Sequence, residues 1–553
     1  MSKNYSLKTL FVFFPLIIFW IFIFLYTTDV PWFDDIETFG DTLRIWITSD
    51  LLTGIKELFH PNNEHRMFPG KFWAVLYYLF TGKIDFRILT FIGNLNLMGT
   101  VFLFWKVFKR ENHSIWYFLP ITLFLCQPQY YLTSLWIITS WQHEGVLFAG
   151  IFTLYLVSRN TTKTYLWACL AILYTIFTMS NGLFFGIAGA FILLLQNRIK
   201  ELAIWLGVWV VGVGLYFYGF NNQANGHGLE YFMQHPHESV FGFFTFLGGS
   251  FDFMPKWDIV KRSVFPTIMG FILVSTCLYI SWNLIKKHSV ALRKWVGTNG
   301  DNNQNTTQSN DIYFVIGCLV FLLCNAFIIG LLRPRFGYHV MLVVNYKIYP
   351  SHLLAVAYLL ILFYLPHRQK LLNGILVFAL LFSSYSYLTI TKEASDRHRK
   401  MLVGAYNQQH NDIGLAAEIH SPFAAYTTKI MGYLISNKLY EYPTFFDAQQ
   451  IKAPLINAPL TTGEVSVKKL SADASVIVIK HIAAGNSYQD GVYILLQAPE
   501  RTYLVFADSE NGHDFSSEIS NKFFEKGLYQ IGMFQVKNGV QQSFKTNQTL
   551  VIE

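Results

Sequence analysis

The residues able to do chemistry are concentrated between Asp29 and Lys71, in DVPWFDDIETFGDTLRIWITSDLLTGIKELFHPNNEHRMFPGK. Asp34-Asp35-Ile36-Glu37 opens this stretch, and Glu64-His65-Arg66 followed by Lys71 closes it. A carboxylate held against a hydroxyl can take its proton during group transfer, which makes Asp34 and Asp35 candidate general bases. The spacing Asp34-x-x-Glu37 also describes a capping box at a helix start. Arg66 and Lys71 suit a phosphate or pyrophosphate, Arg66 in bidentate fashion, with His65 as a further donor. Glu64 is a second acid or a metal ligand. The same cations at a bilayer surface would also meet lipid phosphates.

Arg333-Pro334-Arg335, followed by Tyr338 and His339, offers two guanidinium groups at the end of an apolar run, where they can hold a phosphate or snorkel to the interface. Trp141-Gln142-His143-Glu144 and Ser180-Asn181-Gly182 could line a sugar pocket, with Trp141 as a stacking face, or end helices. His235-x-His237 has a metal-like spacing, interrupted by Pro236. Divalent-metal use is left open. Walker, GxSxG, HExxH and CxxC motifs are absent from the sequence.

The elements that must position these residues are membrane spans. Of 553 residues, 53% are hydrophobic and only 14% charged, against roughly 25% in soluble proteins. Candidate spans fall at about 9–26, 86–107, 115–132, 143–158, 164–179, 182–196, 201–219, 263–285, 311–332, 346–365 and 371–390. Lys and Arg cluster in every second connection, so the net charge of +8 is an orientation signal and not a nucleic-acid one. That pattern places the N-terminus in the cytoplasm. It places 27–71, Trp141–Glu144, Ser180–Asn181, 220–262, Arg333–His339 and everything after about 391 outside. Segment 296–310 is a polar connector. Within the first outer loop, 41–59 has the periodicity of an interfacial helix, and Phe72–Phe80 is too short to span and lies flat, the alternative being that 68–82 pairs with 86–107 as a re-entrant hairpin. The five cysteines all fall in apolar stretches, so no disulfide framework supports the C-terminal part.

The expected organisation is a polytopic α-helical membrane domain over 1–390 with about eleven spans, a helical outer segment over 391–460, and a β-rich outer domain over 461–553. Short alternating runs at Glu464–Val467, Ala474–Ile479, Gly491–Leu496, Tyr503–Phe506, Leu528–Val536 and Thr549–Ile552 predict a small antiparallel sheet or sandwich in an α+β outer domain.

In this arrangement the chain resembles membrane glycosyltransferases of the GT-C fold. WFDDIETFG stands where those enzymes carry an acidic pair after their first span. NEHRMFPGKF is similar to the second element of that loop in protein O-mannosyltransferases and bacterial aminoarabinose transferases, and to an Asn-Glu-His-Arg segment of bacterial GT-C-like membrane proteins. The resemblance implies transfer of a sugar, with inversion, from a polyprenyl-phosphate donor to a glycan, lipid or protein hydroxyl of the cell envelope. It implies a bacterial inner or plasma membrane location. Asp34 would be the base with Asp35 beside it, Glu64 a supporting acid, and Arg66 with Arg333 or Arg335 the phosphate clamp. A lipid-linked glycan transporter or flippase, which would show broken helices and internal repeats, and a polysaccharide polymerase or ligase are the alternatives.

Overall fold

A computed structural model describes residues 2–62, 65–111, 113–220, 228–289, 306–415, 418–485, 487–509 and 511–553. Glu64, His227 and the 296–305 part of the polar connector lie outside the described residues. The chain forms two compact units. One comprises Met1–Leu25, Ile55–Trp73 and Thr90–Ile390; the other comprises Tyr26–Gly54, Ala74–Leu89 and Thr391–Glu553.

Among the described residues, seven helices are long and apolar enough to cross a membrane: Lys8–Tyr26, Phe86–Glu111, Ile199–Phe217, Ile259–His288, Gln308–Leu332, Val344–Tyr364 and Gln369–Asn411. The protein is therefore an integral membrane protein. The remaining candidate spans take other forms. Helices Gly145–Ser158, Thr162–Ile176 and Phe184–Leu195 have 14, 15 and 12 residues. At 1.5 Å per residue they reach only about 18–23 Å, short of a ~30 Å hydrocarbon core. Expected span 115–132 breaks into a 3₁₀ turn, helix Leu119–Leu125, a second 3₁₀ turn at Pro128–Tyr130 and helix Tyr131–Leu135. Gln127 is extended ahead of Pro128, as a residue before proline should be. Its side chain holds the break, accepting from the Gln129 N–H at 2.8 Å and donating to Ser351 Oγ at 3.0 Å.

Helices in this unit approach closely where glycine permits. A Cβ on Gly270 would lie 1.9 Å from the Phe244 carbonyl, and one on Gly248 1.8 Å from that of Pro266. Helices Pro236–Leu247 and Ile259–His288 therefore meet backbone to backbone, as membrane helices do through small residues. Buried Asp311 accepts from Arg110 Nη1 at 2.9 Å and Arg159 Nη2 at 2.5 Å. It sits near the start of helix Thr306–Leu332, and Arg333 follows that helix's other end, about 32 Å away along the axis.

The second unit contains two antiparallel sheets. Strands β1 (Pro61–Asn62) and β2 (His65–Arg66) form a small hairpin in the helical unit. The rest are β3 (Glu464–Lys469), β4 (Ala474–Lys480), β5 (Gly491–Ala498), β6 (Arg501–Phe506), β7 (Phe515–Ser520), β8 (Gly527–Lys537) and β9 (Val540–Ile552). Their orders are β3-β4-β7 and β6-β5-β8-β9. Ile477, Ile479 and Phe515 of the first sheet share a core with Val492, Ile494, Ile531 and Met533 of the second, which makes a sandwich. The other face of the four-stranded sheet, through Tyr493, Leu495, Leu504 and Phe534, packs on Val403, Tyr406 and Ile451. β5 is consequently buried on both faces, which is why GVYILL reads as unbroken apolar sequence.

Candidate functional site

Two motifs marked by their sequence adopt π-helical turns, a geometry frequent at functional sites. The acidic motif forms one at Ile36–Asp41, and Ser140–Glu144 forms the other.

The acidic turn lies in the sheet-containing unit. Phe33, immediately before Asp34, has φ 45°, which is costly for a bulky side chain. It is held there by a Phe33 N–H bond to the Leu415 carbonyl and by stacking on Phe423 at 6.2 Å. Asp35 is buried, and its Oδ2 accepts from the Trp32 N–H at 2.8 Å. It thus pins the preceding turn and makes no side-chain cap bond to the helix it opens. Asp34 is half-buried. Asp41 is engaged by Arg44 Nε at 2.5 Å and by the Tyr426 hydroxyl at 2.8 Å. Nearby in this unit, Asp29 accepts from the Phe86 N–H at 2.7 Å. Burial, with Asp85 beside it, pushes the Asp29 carboxyl up to about 7.

The helical unit holds a cavity of 220 Å³. His65, His143, Asn181, Asn325, Tyr349, Arg333 and Arg335 are among its lining residues. Helix Thr306–Leu332 ends at Leu332, and a 3₁₀ turn at Pro334–Phe336 follows. Gly337 then takes φ 101°, ψ 141°, a conformation essentially reserved for glycine. Gly330 fixes the approach, since a Cβ there would lie 3.0 Å from the Phe243 N. The tight turn keeps Arg333 and Arg335 on one cavity, both over the exposed Phe336 ring, at 5.7 and 4.5 Å.

Deeper groups are neutral and linked. The Tyr349 hydroxyl is 2.8 Å from His143 Nδ1 and accepts from Asn181 Nδ2 at 2.6 Å. Asn181 Nδ2 also donates to Asn325 Oδ1 at 3.2 Å. Asn181 Oδ1 and Asn325 Nδ2 are buried without a hydrogen-bond partner. Each such unmet group costs about 1–3 kcal/mol and calls for an explanation. Two guanidinium groups with buried amides, a phenol and an imidazole suit a ligand that combines an anion with hydroxyl-like groups.

His65, His143, Arg333 and Arg335, all candidates from the sequence, line this one cavity. The other candidates are placed differently. Arg66 was expected at a phosphate. Its Nε donates to the Tyr216 carbonyl at 2.7 Å, and its Nη atoms reach the carbonyls of Phe59 and Tyr218. Lys71, also expected there, is fully buried and bonds Glu57 Oε1 at 2.7 Å and the carbonyls of Glu57 and His60. Both cations thus fasten the chain around the β1–β2 hairpin. Trp141 is buried and stacks on Trp73 at 6.2 Å; Tyr338 bonds Thr245 Oγ1 at 2.7 Å. Neither lines the cavity. Asp34 and Asp35 belong to the other unit.

Asn325 and Tyr349 escaped the sequence reading. Asn325 carried a signal, a lone amide inside GCLVFLLCNAFIIG, since polar residues inside spans tend to be functional. A buried charge cluster, Asp252 with Arg262 at two atoms and Lys347 at 2.8 Å, also went unread. Burial would raise the Asp252 carboxyl, but these two cations hold it below the usual carboxylate range. His235 stacks on Tyr231 at 4.4 Å, and among the described residues no group of three or more His, Cys, Asp or Glu could hold a metal ion.

No protein-family model, no curated protein and no solved structure matches this chain.

Proposed function

We propose that this protein is a membrane glycosyltransferase that moves a sugar from a prenyl-phosphate-linked donor to an acceptor hydroxyl of a cell-envelope glycan, lipid or protein, outside the membrane and with inversion. One observation carries the reading: in a membrane-embedded unit, Arg333 and Arg335 share a cavity with His143, Asn181, Asn325 and Tyr349. The arginines suit the donor phosphate, and the neutral groups suit a sugar. In the reaction, the acceptor oxygen bonds to the anomeric carbon, and the bond from that carbon to the phosphate oxygen breaks. The leaving prenyl phosphate keeps the electron pair. The acceptor proton passes to a carboxylate, for which Asp34 is the candidate, with Asp35 orienting the turn and Glu64 as a supporting acid. In this reading the shorter helices, lengthened by adjoining turns such as Ser140–Glu144 and Ser180–Leu183, and the broken segment bring the bundle to about eleven crossings, with the N-terminus cytoplasmic and the β-rich region outside.

The test compares, by mass, the envelope glycans of cells carrying wild type, a deletion, Asp34→Asn, or Arg333→Ala with Arg335→Ala. The expected result is the same missing sugar in the deletion and both variants, with variant protein present at wild-type level in the membrane. Identical glycans in deletion and wild type would sink the proposal.

The broken segment 115–144 favours a second reading, passage of a lipid-linked glycan through the bundle. Detergent-solubilised protein separates the two. A transferase forms product with no membrane to cross, and a flippase forms none.

A further inference from the structure

The two buried amides of the cavity leave one acceptor and one donor atom unmet. The Asn181 Nδ2 hydrogens are committed to the Tyr349 hydroxyl and Asn325 Oδ1. The Tyr349 hydroxyl, accepting from Asn181, also pairs with His143 Nδ1 at 2.8 Å, so both of its hydrogen-bonding directions are taken. What remains of the two amides is Asn181 Oδ1, able only to accept, and Asn325 Nδ2, able only to donate. Reversing both amides, the one ambiguity in such side chains, leaves the same inventory of one acceptor and one donor. Asn181 and Asn325 are 6% and 1% exposed, so bulk water does not satisfy them. The cavity's 220 Å³ corresponds to about seven waters at their liquid volume, room for a ring rather than a single ion.

We infer that the Asn181–Asn325 pair, fixed by Tyr349, recognises the group carried beyond the donor phosphate, and that this group presents a donor and an acceptor side by side. A vicinal diol of a sugar does so, as does an N-acyl substituent. The inference rests on the phosphate-sugar reading of the cavity and adds to it the chemistry of the head group. Asn181 and Asn325 are specificity residues in this account.

The experiment is calorimetric binding to the purified full-length protein in detergent, with three probes: geranyl phosphate, geranyl phosphoryl glucose and geranyl phosphoryl N-acetylglucosamine. Wild type is expected to bind at least one sugar-bearing probe about tenfold or more tighter than geranyl phosphate, the worth of one or two hydrogen bonds. A gain for both sugars identifies the diol, and a gain for N-acetylglucosamine alone identifies the N-acyl group. Asn325→Leu and Asn181→Leu should erase the gain while geranyl phosphate affinity stays within about twofold. Asn325→Leu removes an unmet donor but strands one Asn181 Nδ2 hydrogen, so its melting temperature should change little, whereas an asparagine with all its bonds met would lower it on replacement. No gain for either sugar in wild type would overturn the inference. So would equal weakening of all three probes by Asn325→Leu, or a gain that survives both variants. If Arg333→Ala with Arg335→Ala leaves geranyl phosphate affinity unchanged, the phosphate reading falls instead, independently of the sugar gain.

Discussion

Two buried asparagines, one in each unit, show how differently the same side chain is used. Asn407 donates to the Leu504 carbonyl at 2.7 Å and accepts from the Leu504 N–H at 3.0 Å. Leu504 lies on β6, an edge strand, so Asn407 closes an edge that would otherwise be open to pairing. Asn325, by contrast, accepts one bond from Asn181 and has no partner for Nδ2. A satisfied amide is part of the fold, whereas an unmet one beside a cavity is available to a ligand. The cations are also placed differently. Arg66 and Lys71 bond carbonyls and a carboxylate around the β1–β2 hairpin, and Arg333 and Arg335 line the cavity.

The largest effect that would test this division belongs to a saturated cluster. Asp252→Asn leaves the Arg262 and Lys347 charges without their carboxylate and should cost about 3–5 kcal/mol, read as thermal unfolding of the solubilised protein. A loss under about 1 kcal/mol would mean that the cluster is solvated rather than structural. Next, Asn407→Ala should cost about 2 kcal/mol and increase proteolytic cutting near β6, since two buried backbone groups lose their partner. If Asn407→Ala and Asn325→Leu changed stability equally, the distinction between the two asparagines would collapse.

Two acids sharpen the comparison through opposite pH slopes. The Asp252 carboxyl lies below its ordinary value in the folded protein, so its stabilisation is full above that value and is lost as pH falls through the folded one. Asp29 lies above its ordinary value, at about 7. Between about pH 4 and 7 the unfolded chain releases that proton while the folded one keeps it, so stability falls as pH rises and is flat above. Asp29→Asn should remove this decline, and unfolding curves of wild type and variant across that range check it. A decline unchanged in the variant would assign it to another group.

The effect confined to the fewest residues is at the arginine turn. Gly337→Ala forces a side chain into φ 101° and should cost about 1–3 kcal/mol locally. The same change should weaken geranyl phosphate binding, because it moves Arg335. Unaltered binding would separate the turn from the anion site.

Long apolar runs made the seven long helices legible, because a bilayer demands length and low polarity and both are written residue by residue. The sandwich was legible where strands are rich in β-branched and aromatic residues, as in β5, GVYILLQA. β7, FSSEIS, was not read, since its polar positions hide a strand anchored only by Phe515 and Ile519. What each cation does was not legible either. Arg66 and Arg335 are the same residue type in similar apolar surroundings, and only the fold brings three carbonyls to Arg66 and places Arg335 on the cavity.

The sequence by itself determined that this chain enters a membrane, that it carries a β-rich C-terminal region, and that acids, histidines and arginines cluster at particular places. Tertiary structure decided which of those groups are spent on the fold and which line a cavity. The physical reason is that hydrogen-bond satisfaction is set by partners distant in sequence, such as Asn181 for Asn325 and Leu504 for Asn407, which no local pattern specifies.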